Sequence, residues 1–254
     1  MKSNPMEVNT NTRMRWEVLR RFPIVQAIAN KSVLDIGAGL GYFSSKFAGL
    51  GANVIAVDID QVSLKYVSDH YDISTQCADI ETDDLHYKDV DLVFIGEVLE
   101  HIKDPSQFLR KVRGCLKEKG FILLTVPALE GALTDSRGKR LCHSHGAEKH
   151  ERDGFYYPEL TSTLQRLNMK IVQHSYCIYY LSELFMQVTK AAFSIKKKRY
   201  AGQVDVLGQA DSVPYKILKT VYPIMLSIFK AEQYLCNLLP TKGHCHIILA
   251  QRED

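Results

Sequence analysis

Val33-Leu34-Asp35-Ile36-Gly37-Ala38-Gly39-Leu40-Gly41, followed by Val54-Ile55-Ala56-Val57-Asp58, decides the fold of this chain. The first block is an apolar run of strand length entering a glycine turn, and the second is another such run ending in a carboxylate. Glycines at a strand end let the backbone turn with positive φ and let a ligand approach main-chain atoms that a Cβ would shield. A carboxylate at the tip of the next parallel strand stands where it can accept hydrogen bonds from the vicinal hydroxyls of a ribose. The expected ligand therefore carries a nucleoside. A dinucleotide fold spaces its glycines G-x-G-x-x-G and seats a pyrophosphate on a helix N-terminus. Here the spacing is G-x-G-x-G, with Tyr42 where that pattern needs glycine. Asp35, two positions before Gly37, would repel a pyrophosphate but suits a cation such as an amino group. Nicotinamide dinucleotides are thereby disfavoured.

Outward from this pair, apolar runs of strand length recur at Ser74 to Cys77, Asp91 to Ile95 and Phe121 to Val126, alternating with helical spacing or turn residues. Together with Ser32 to Ile36 and Asn53 to Asp58 they predict an α/β fold with a doubly wound, mostly parallel sheet, whose ligands bind at the carboxyl ends of the strands. One helix start is legible in detail. Asp104 caps, Pro105 fits the first turn, Gln107 stands at the capping-box position, and Phe108, Leu109, Val112 and Leu116 give a buried stripe ended by Gly120. Arg13 to Asn30 reads as a helix broken at Pro23, with Arg13, Arg15, Arg20 and Arg21 forming a solvated basic face over one end of the sheet, or else a phosphate site. Pro158 to Leu167 reads as a helix, Met169 to Tyr180 contains a strand, and Cys245 to Ala250 is its antiparallel partner.

Composition sets bounds. A chain of 254 residues with 46% hydrophobic content buries one substantial core with additions. The net charge of +3, from 32 basic and 29 acidic residues, is too small for a dedicated nucleic-acid surface. The six cysteines show no C-x-x-C spacing, which argues against a disulfide framework or structural zinc and for a reducing compartment. A polar stretch follows Met1, without the apolar core of a signal peptide, so a cytoplasmic location is expected.

Four blocks in order, Asp35 to Gly41, Asp58-Ile59, Ala78-Asp79-Ile80 and Asp91 to Ile102, resemble a class I S-adenosylmethionine-dependent methyltransferase, close to the ubiquinone-biosynthesis O-methyltransferase-like and polysaccharide-cluster groups. That resemblance implies a seven-stranded Rossmann-like sheet over residues 31–180 plus 243–254, a preceding helical segment 1–30, and S-adenosylmethionine as cofactor. It assigns Asp35, Gly37, Gly39 and Gly41 to the methionine end of the cofactor, Asp58 and Ile59 to the ribose, Asp79 with Ile80 to the adenine edge, and Gly96 with Glu97 to the sulfonium. The implied reaction is methyl transfer to oxygen, less readily nitrogen, of a small or lipid-linked molecule such as a sugar or a quinone precursor. An RNA 2′-O-methyltransferase and a catalytically idle binding subunit stand as alternatives.

Methyl transfer from a sulfonium requires aligning the acceptor and, for a hydroxyl, removing its proton. Histidine suits that role. The segment from Ala128 to Tyr157 lacks apolar periodicity and contains His143, His145 and His150, and HERDGFYYPEL, from His150 to Leu160, resembles the family's entry into the substrate pocket. His150 and His145 are the candidate bases, with His101 a third; surface residues of a lid are the bland reading. Glu97-Val98-Leu99-Glu100-His101 resembles the E-x-x-E-H element of metal-assisted O-methyltransferases. On a helical turn Glu97, Glu100 and His101 would converge on Mg²⁺ or Mn²⁺. The alternative is that they tie the loop to the sheet by hydrogen bonds.

Residues 181–242 form a helical insert. Leu181, Leu184, Phe185, Val188, Ala192 and Phe193 recur at helical spacing before the basic run Lys196-Lys197-Lys198-Arg199, and Ile217, Val221, Ile224, Met225, Ile228, Leu235 and Leu239 make a second stripe interrupted by Pro223. Neither has the charge-free length of a membrane span. Such stripes pack as a lid or partner interface, or lie at the inner membrane face beside a lipid-linked acceptor.

Overall fold

In the computed structural model, which describes residues 4–131, 133, 151–194 and 212–254, seven strands form one sheet. They are β1 (Ser32–Ile36), β2 (Asn53–Asp58), β3 (Ser74–Cys77), β4 (Val90–Gly96), β5 (Leu116–Pro127), β6 (Met169–Cys177) and β7 (Cys245–Arg252), in the order β3-β2-β1-β4-β5-β7-β6. The first five run parallel, and β7 is antiparallel to both β5 and β6. Helices cover both faces, so the central strands are apolar on both sides rather than alternating with polar residues. Leu92 and Phe94 of β4 enter one core while Val93 and Ile95 enter the other.

Register brings the site residues to one edge. Ile36 lies between Val57 and Ile95, Asp58 opposite Cys77, and Gly96 opposite Thr125. The antiparallel course of β7 puts its first residues, Cys245 and His246, opposite Pro127 and Val126 at the same carboxyl edge.

The helices are α1 (Thr10–Leu19), α2 (Pro23–Gln26), α3 (Tyr42–Gly49), α4 (Gln61–His70), α5 (Pro105–Cys115), α6 (Tyr157–Arg166), α7 (Tyr180–Ser194) and α8 (Val213–Asn237). The start of α5 follows its sequence signals, with the Gln107 N–H donating to Asp104 Oδ1 at 3.0 Å. Its end does not. The helix stops at Cys115, and Leu116 opens β5 opposite Val90, whereas Phe121 already pairs with Leu92. Gly120 lies in the resulting bulge, where a Cβ would stand 2.9 Å from the Lys117 carbonyl oxygen and 3.0 Å from that of Val90. It answers a close backbone approach rather than capping a helix.

The expectation of a solvated basic face on the first helix is overturned for Arg13 and Arg15. Because α1 packs against α7, α8 and β6, Arg15 is buried, and Arg13 is half-buried against Glu7 at 2.7 Å and Glu17 at 3.2 Å. Only Arg20 and Arg21 of the four face solvent. The chain before α1 crosses the glycine turn, where Asn4 Nδ2 donates to the Leu40 carbonyl at 2.9 Å. Behind α1, the buried Glu232 of α8 accepts from the Ser182 N–H at 3.0 Å and its hydroxyl at 2.8 Å. A carboxylate is thereby set at the positive end of α7.

Candidate active site

Gly37, Gly39 and Gly41 adopt φ values of +72, +50 and +67° between β1 and α3. The Gly39 N–H donates to Asp58 Oδ2 at 2.7 Å and the Asp60 N–H to Oδ1 at 2.9 Å. Two main-chain donors fix this carboxylate at the tip of β2, and a carboxylate offers about four acceptor sites, so capacity remains for a diol. A Cβ on Gly37 would stand 2.2 Å from Val98 Cγ2, and one on Gly41 2.7 Å from Val67 Cγ2. These outer glycines therefore answer the protein's own packing as well as the turn.

Asp35 is buried beneath the turn and accepts from the Ser44 hydroxyl at 2.5 Å. Burial pushes its carboxyl up to about 7; the Ser44 bond opposes that rise, the charge of Asp58 adds to it, and Arg15 opposes it. Beside Asp58, Ile59 is 66% exposed. The Ala78 N–H donates to the Asp58 carbonyl at 3.0 Å, tying the segment after β3 to the tip of β2. There Asp79 Oδ1 accepts from the Glu81 N–H at 3.0 Å, and Ile80 is half-buried against the core.

At the end of β4 the character changes from main chain to side chain. A Cβ on Gly96 would meet the Phe94 ring at 2.8 Å, so the strand end passes tightly between that ring and Arg15. Glu97 has φ +57° and accepts from Asn11 Nδ2 at 3.2 Å and from Cys245 Sγ at 3.5 Å. Burial works against its ionisation, but Arg15, the Asn11 bond and His244 together hold the carboxyl below the usual range. Arg15 donates to Thr125 Oγ1 at 2.9 Å and lies over the Phe43 ring, 5.0 Å from its centre. His244, entering β7, bonds through Nδ1 to Glu183 Oε1 of α7 at 2.9 Å. Glu183 Oε2 and Asn11 Oδ1 are buried and find no hydrogen-bond partner among the described residues. Buried acceptors left unmatched cost about 1–3 kcal/mol each, which a hydroxyl-bearing ligand would offset.

Of the residues expected from sequence, the carboxyl edge gathers Asp35, Gly37, Gly39, Gly41, Asp58, Ile59, Asp79, Ile80, Gly96 and Glu97. His145 and His150 lie outside the described residues, as do Cys142 and His143. His101 closes a single 3₁₀ turn, Leu99–His101, and is half-buried. The metal reading of Glu97, Glu100 and His101 is corrected. Glu97 precedes that turn in a left-handed conformation and reaches Asn11 and Cys245, so the helical spacing needed for convergence never forms. Glu100 is buried, and its carbonyl accepts from the N–H groups of Glu151 at 3.1 Å and Arg152 at 3.2 Å. Among the described residues, no three His, Cys, Asp or Glu side chains are arranged to hold an ion.

Asn11, Thr125, Glu183 and His244 escape sequence reasoning because they come from separate elements at no common spacing. Arg15 was legible only as one of four arginines on a helix. A further aromatic cluster lies beside them, where Tyr157 stacks on His174 at 4.1 Å and His174 Nε2 meets His246 Nδ1 at 3.1 Å. Burial pushes both imidazoles down to about 4.

Residues 34–124 match the family model described as a methyltransferase domain. Residues 34–124 are thus a methyltransferase domain, and the strand order with its glycine-lined edge resembles that of class I S-adenosylmethionine-dependent methyltransferases. The chain is 30% identical over 136 residues to the tRNA U34 carboxymethyltransferase of Trichlorobacter lovleyi, covering 50% of this chain and 41% of that protein. It is 31% identical over 127 residues to the ubiquinone biosynthesis O-methyltransferase of Thiobacillus denitrificans, covering 48% and 53%. The chain thus spans about half the length of the curated relatives it matches. An S-adenosylmethionine dependent methyltransferase from Mesorhizobium loti superposes over 94% of this chain and 97% of its own, with a TM-score of 0.57 at 16% identity, a likeness of fold.

Proposed function

We propose that this chain transfers a methyl group from S-adenosylmethionine to a hydroxyl oxygen of a small or lipid-linked acceptor, such as a sugar or a quinone precursor. The observation that carries the reading is the Asp58 carboxylate, fixed by the Gly39 and Asp60 N–H groups beside a left-handed glycine turn. S-adenosylmethionine would supply an electrophilic methyl on a sulfonium. Asp58 would accept from the ribose diol, the turn from Gly37 to Gly41 would hold the methionine end, Asp79 and Ile80 would flank the adenine, and Gly96 with the anionic Glu97 would border the sulfonium.

The residues beyond Glu97 support oxygen as the methylated atom. Asn11 Oδ1 and Glu183 Oε2 are acceptors awaiting donors, as a hydroxylated molecule would provide. Glu183, oriented by His244, is a buried carboxylate that could hold the proton a hydroxyl gives up. Arg15 covers the face of Phe43, which leaves less apolar plate for an aromatic ring than for a saturated, hydroxylated one.

The test is transfer of labelled methyl to methyl glycosides, a catechol, a primary amine and an RNA oligonucleotide, beside calorimetry with S-adenosylhomocysteine. The expected result is homocysteine-form binding and label in a hydroxylated probe. Binding without transfer to any probe points to the binding-subunit alternative. Label in RNA alone moves the acceptor to nucleic acid, and no binding removes the methyltransferase reading altogether.

A further inference from the structure

The two insert helices each carry a second apolar stripe that the fold leaves outside. In α8, Tyr215, Tyr222, Phe229 and Cys236 recur every seven residues and are buried, with the Tyr215 hydroxyl donating to the Pro5 carbonyl at 2.9 Å. That is the face packed on α1 and α7. Ile217, Val221, Ile224, Ile228 and Leu235 form a different stripe and face solvent, with Ile217 60% and Ile224 68% exposed. In α7, Met186 is buried, Phe185 packs on the core, and Leu181, Leu184 and Val188 are turned out. The residues whose spacing marks them for burial are thus largely the outward ones, while an aromatic heptad attaches the helix. Scattered exposed apolar residues are ordinary, but an aligned set of this extent marks an interaction surface.

Charge identifies what covers it. The only carboxylates in α7 and α8 are Glu183 and Glu232, and both are buried. Lys216 and Lys219 are exposed on one flank of α8, where Lys230 pairs with Glu17 at 3.8 Å, so these two helices give their outward surface cations and apolar groups and no carboxylate of their own. A second copy of the chain would set like charges together across a two-fold interface, because such an interface uses the same patch twice. An anionic lipid surface complements both the lysines and the apolar stripe. Among the described residues no helix is long and apolar enough to cross a membrane, which leaves the interfacial position for α8.

We propose that the outward face of α7 and α8 docks this chain on an anionic lipid surface, with Leu184, Ile217 and Ile224 entering the acyl boundary and Lys216 and Lys219 meeting headgroup phosphates. The proposal rests on the reading above only where it gives lipid-linked acceptors a reason to be met at such a surface. Co-sedimentation of the full chain with vesicles of phosphatidylcholine, alone and mixed with phosphatidylglycerol, tests it. Binding to the mixed vesicles should exceed that to the neutral ones by about tenfold or more and fall with added salt. Ile217→Glu with Ile224→Glu should abolish it while leaving S-adenosylhomocysteine affinity, read by calorimetry, unchanged. Lys216→Gln with Lys219→Gln should weaken it only at low salt.

Equal binding to neutral and mixed vesicles, binding that survives the glutamates, or a sedimentation-velocity dimer that the glutamates break without any vesicle binding would each overturn the proposal. Vesicle binding by a chain that fails to bind S-adenosylhomocysteine would leave the docking face standing and remove the methyltransferase reading.

Discussion

The two halves of the candidate site at the carboxyl edge of the sheet are built by different means. The proposed cofactor side, from Asp35 to Gly96, is made of strand ends and turns, and apart from the Ser44 hydroxyl on Asp35 its carboxylates are held by main-chain N–H groups, as with Gly39 and Asp60 on Asp58. The proposed acceptor side joins Asn11 and Arg15 of α1, Glu97, Thr125 of β5, Glu183 of α7 and His244 before β7, through bonds between side chains. A site of main-chain donors needs only a local conformation, so it appears in the sequence as a short motif. A site of buried side chains depends on long-range packing, and removing one member strands its partner.

The largest effect expected from that difference is at Arg15. Arg15→Met removes the cation facing Glu97 and leaves a carboxylate in a poorly solvated setting. Losing its charged hydrogen bond to Thr125 and the charge that favours ionised Glu97 should cost about 1.5–3 kcal/mol, readable as a loss of unfolding free energy in urea. Adding Glu97→Gln should recover part of it. A loss under about 1 kcal/mol would mean that the acceptor side is as well solvated as an exposed ion pair.

Asp58→Ala probes the other half, where function rather than stability should suffer. Charge-assisted hydrogen bonds contribute about 1.5–3 kcal/mol each, so losing the ribose contacts should weaken S-adenosylhomocysteine by about a hundredfold in calorimetry. The chain should keep its fold. An affinity within about threefold of the wild type would remove Asp58 from the ribose site.

This contrast also explains what could be read in advance. All five parallel strands, the capping of α5 by Asp104, and the glycine turn beside Asp58 are set by local rules of apolar run, turn and cap, and were legible. The burial of Arg15 was not, because whether a helix face is solvated depends on α7 and α8, which arrive far later in the chain. The stripe in α8 misled for a similar reason. Its aliphatic residues match a buried spacing as well as the aromatic heptad does, and only packing on α1 chose between them. Glu97, Glu100 and His101 looked like a metal set because helical spacing was assumed where the chain instead takes a left-handed residue and a 3₁₀ turn.

The halves should also differ in their response to pH, with opposite signs. Asp35 is raised from 3.8 to about 7 in the fold, so between those values the folded chain binds more protons than the unfolded one. Its contribution to stability is therefore largest below about pH 4 and is lost as pH rises to 7. In the aromatic cluster His174 and His246 are each lowered from 6.5 to about 4, so their contribution is present above pH 6.5 and is lost as pH falls through that window. The two trends offset in the wild type. Unfolding free energies between pH 4 and 8 should rise more steeply with pH in Asp35→Asn and fall with pH when His174→Phe and His246→Phe are combined. The spread between these variants should be about 2 kcal/mol, allowing for relaxation around both groups. Parallel profiles for the three proteins would show that neither burial acts as described.

The smallest expected effect is at Asp104, which belongs to the legible half but touches no ligand. Its side chain accepts from the Gln107 N–H at 3.0 Å and satisfies one otherwise orphaned donor at the start of α5. Asp104→Ala should cost about 1 kcal/mol, seen as a lower urea midpoint at unchanged slope, while S-adenosylhomocysteine affinity stays as it was. The size matters because the cap, like the Asp58 tip, is a local main-chain contact, yet α5 faces the core and not the cleft. If affinity falls together with stability, the cofactor edge is held by the helices beneath it rather than by its own turns. The distinction between a locally built half and a packed half would then fail at the point where it was most legible.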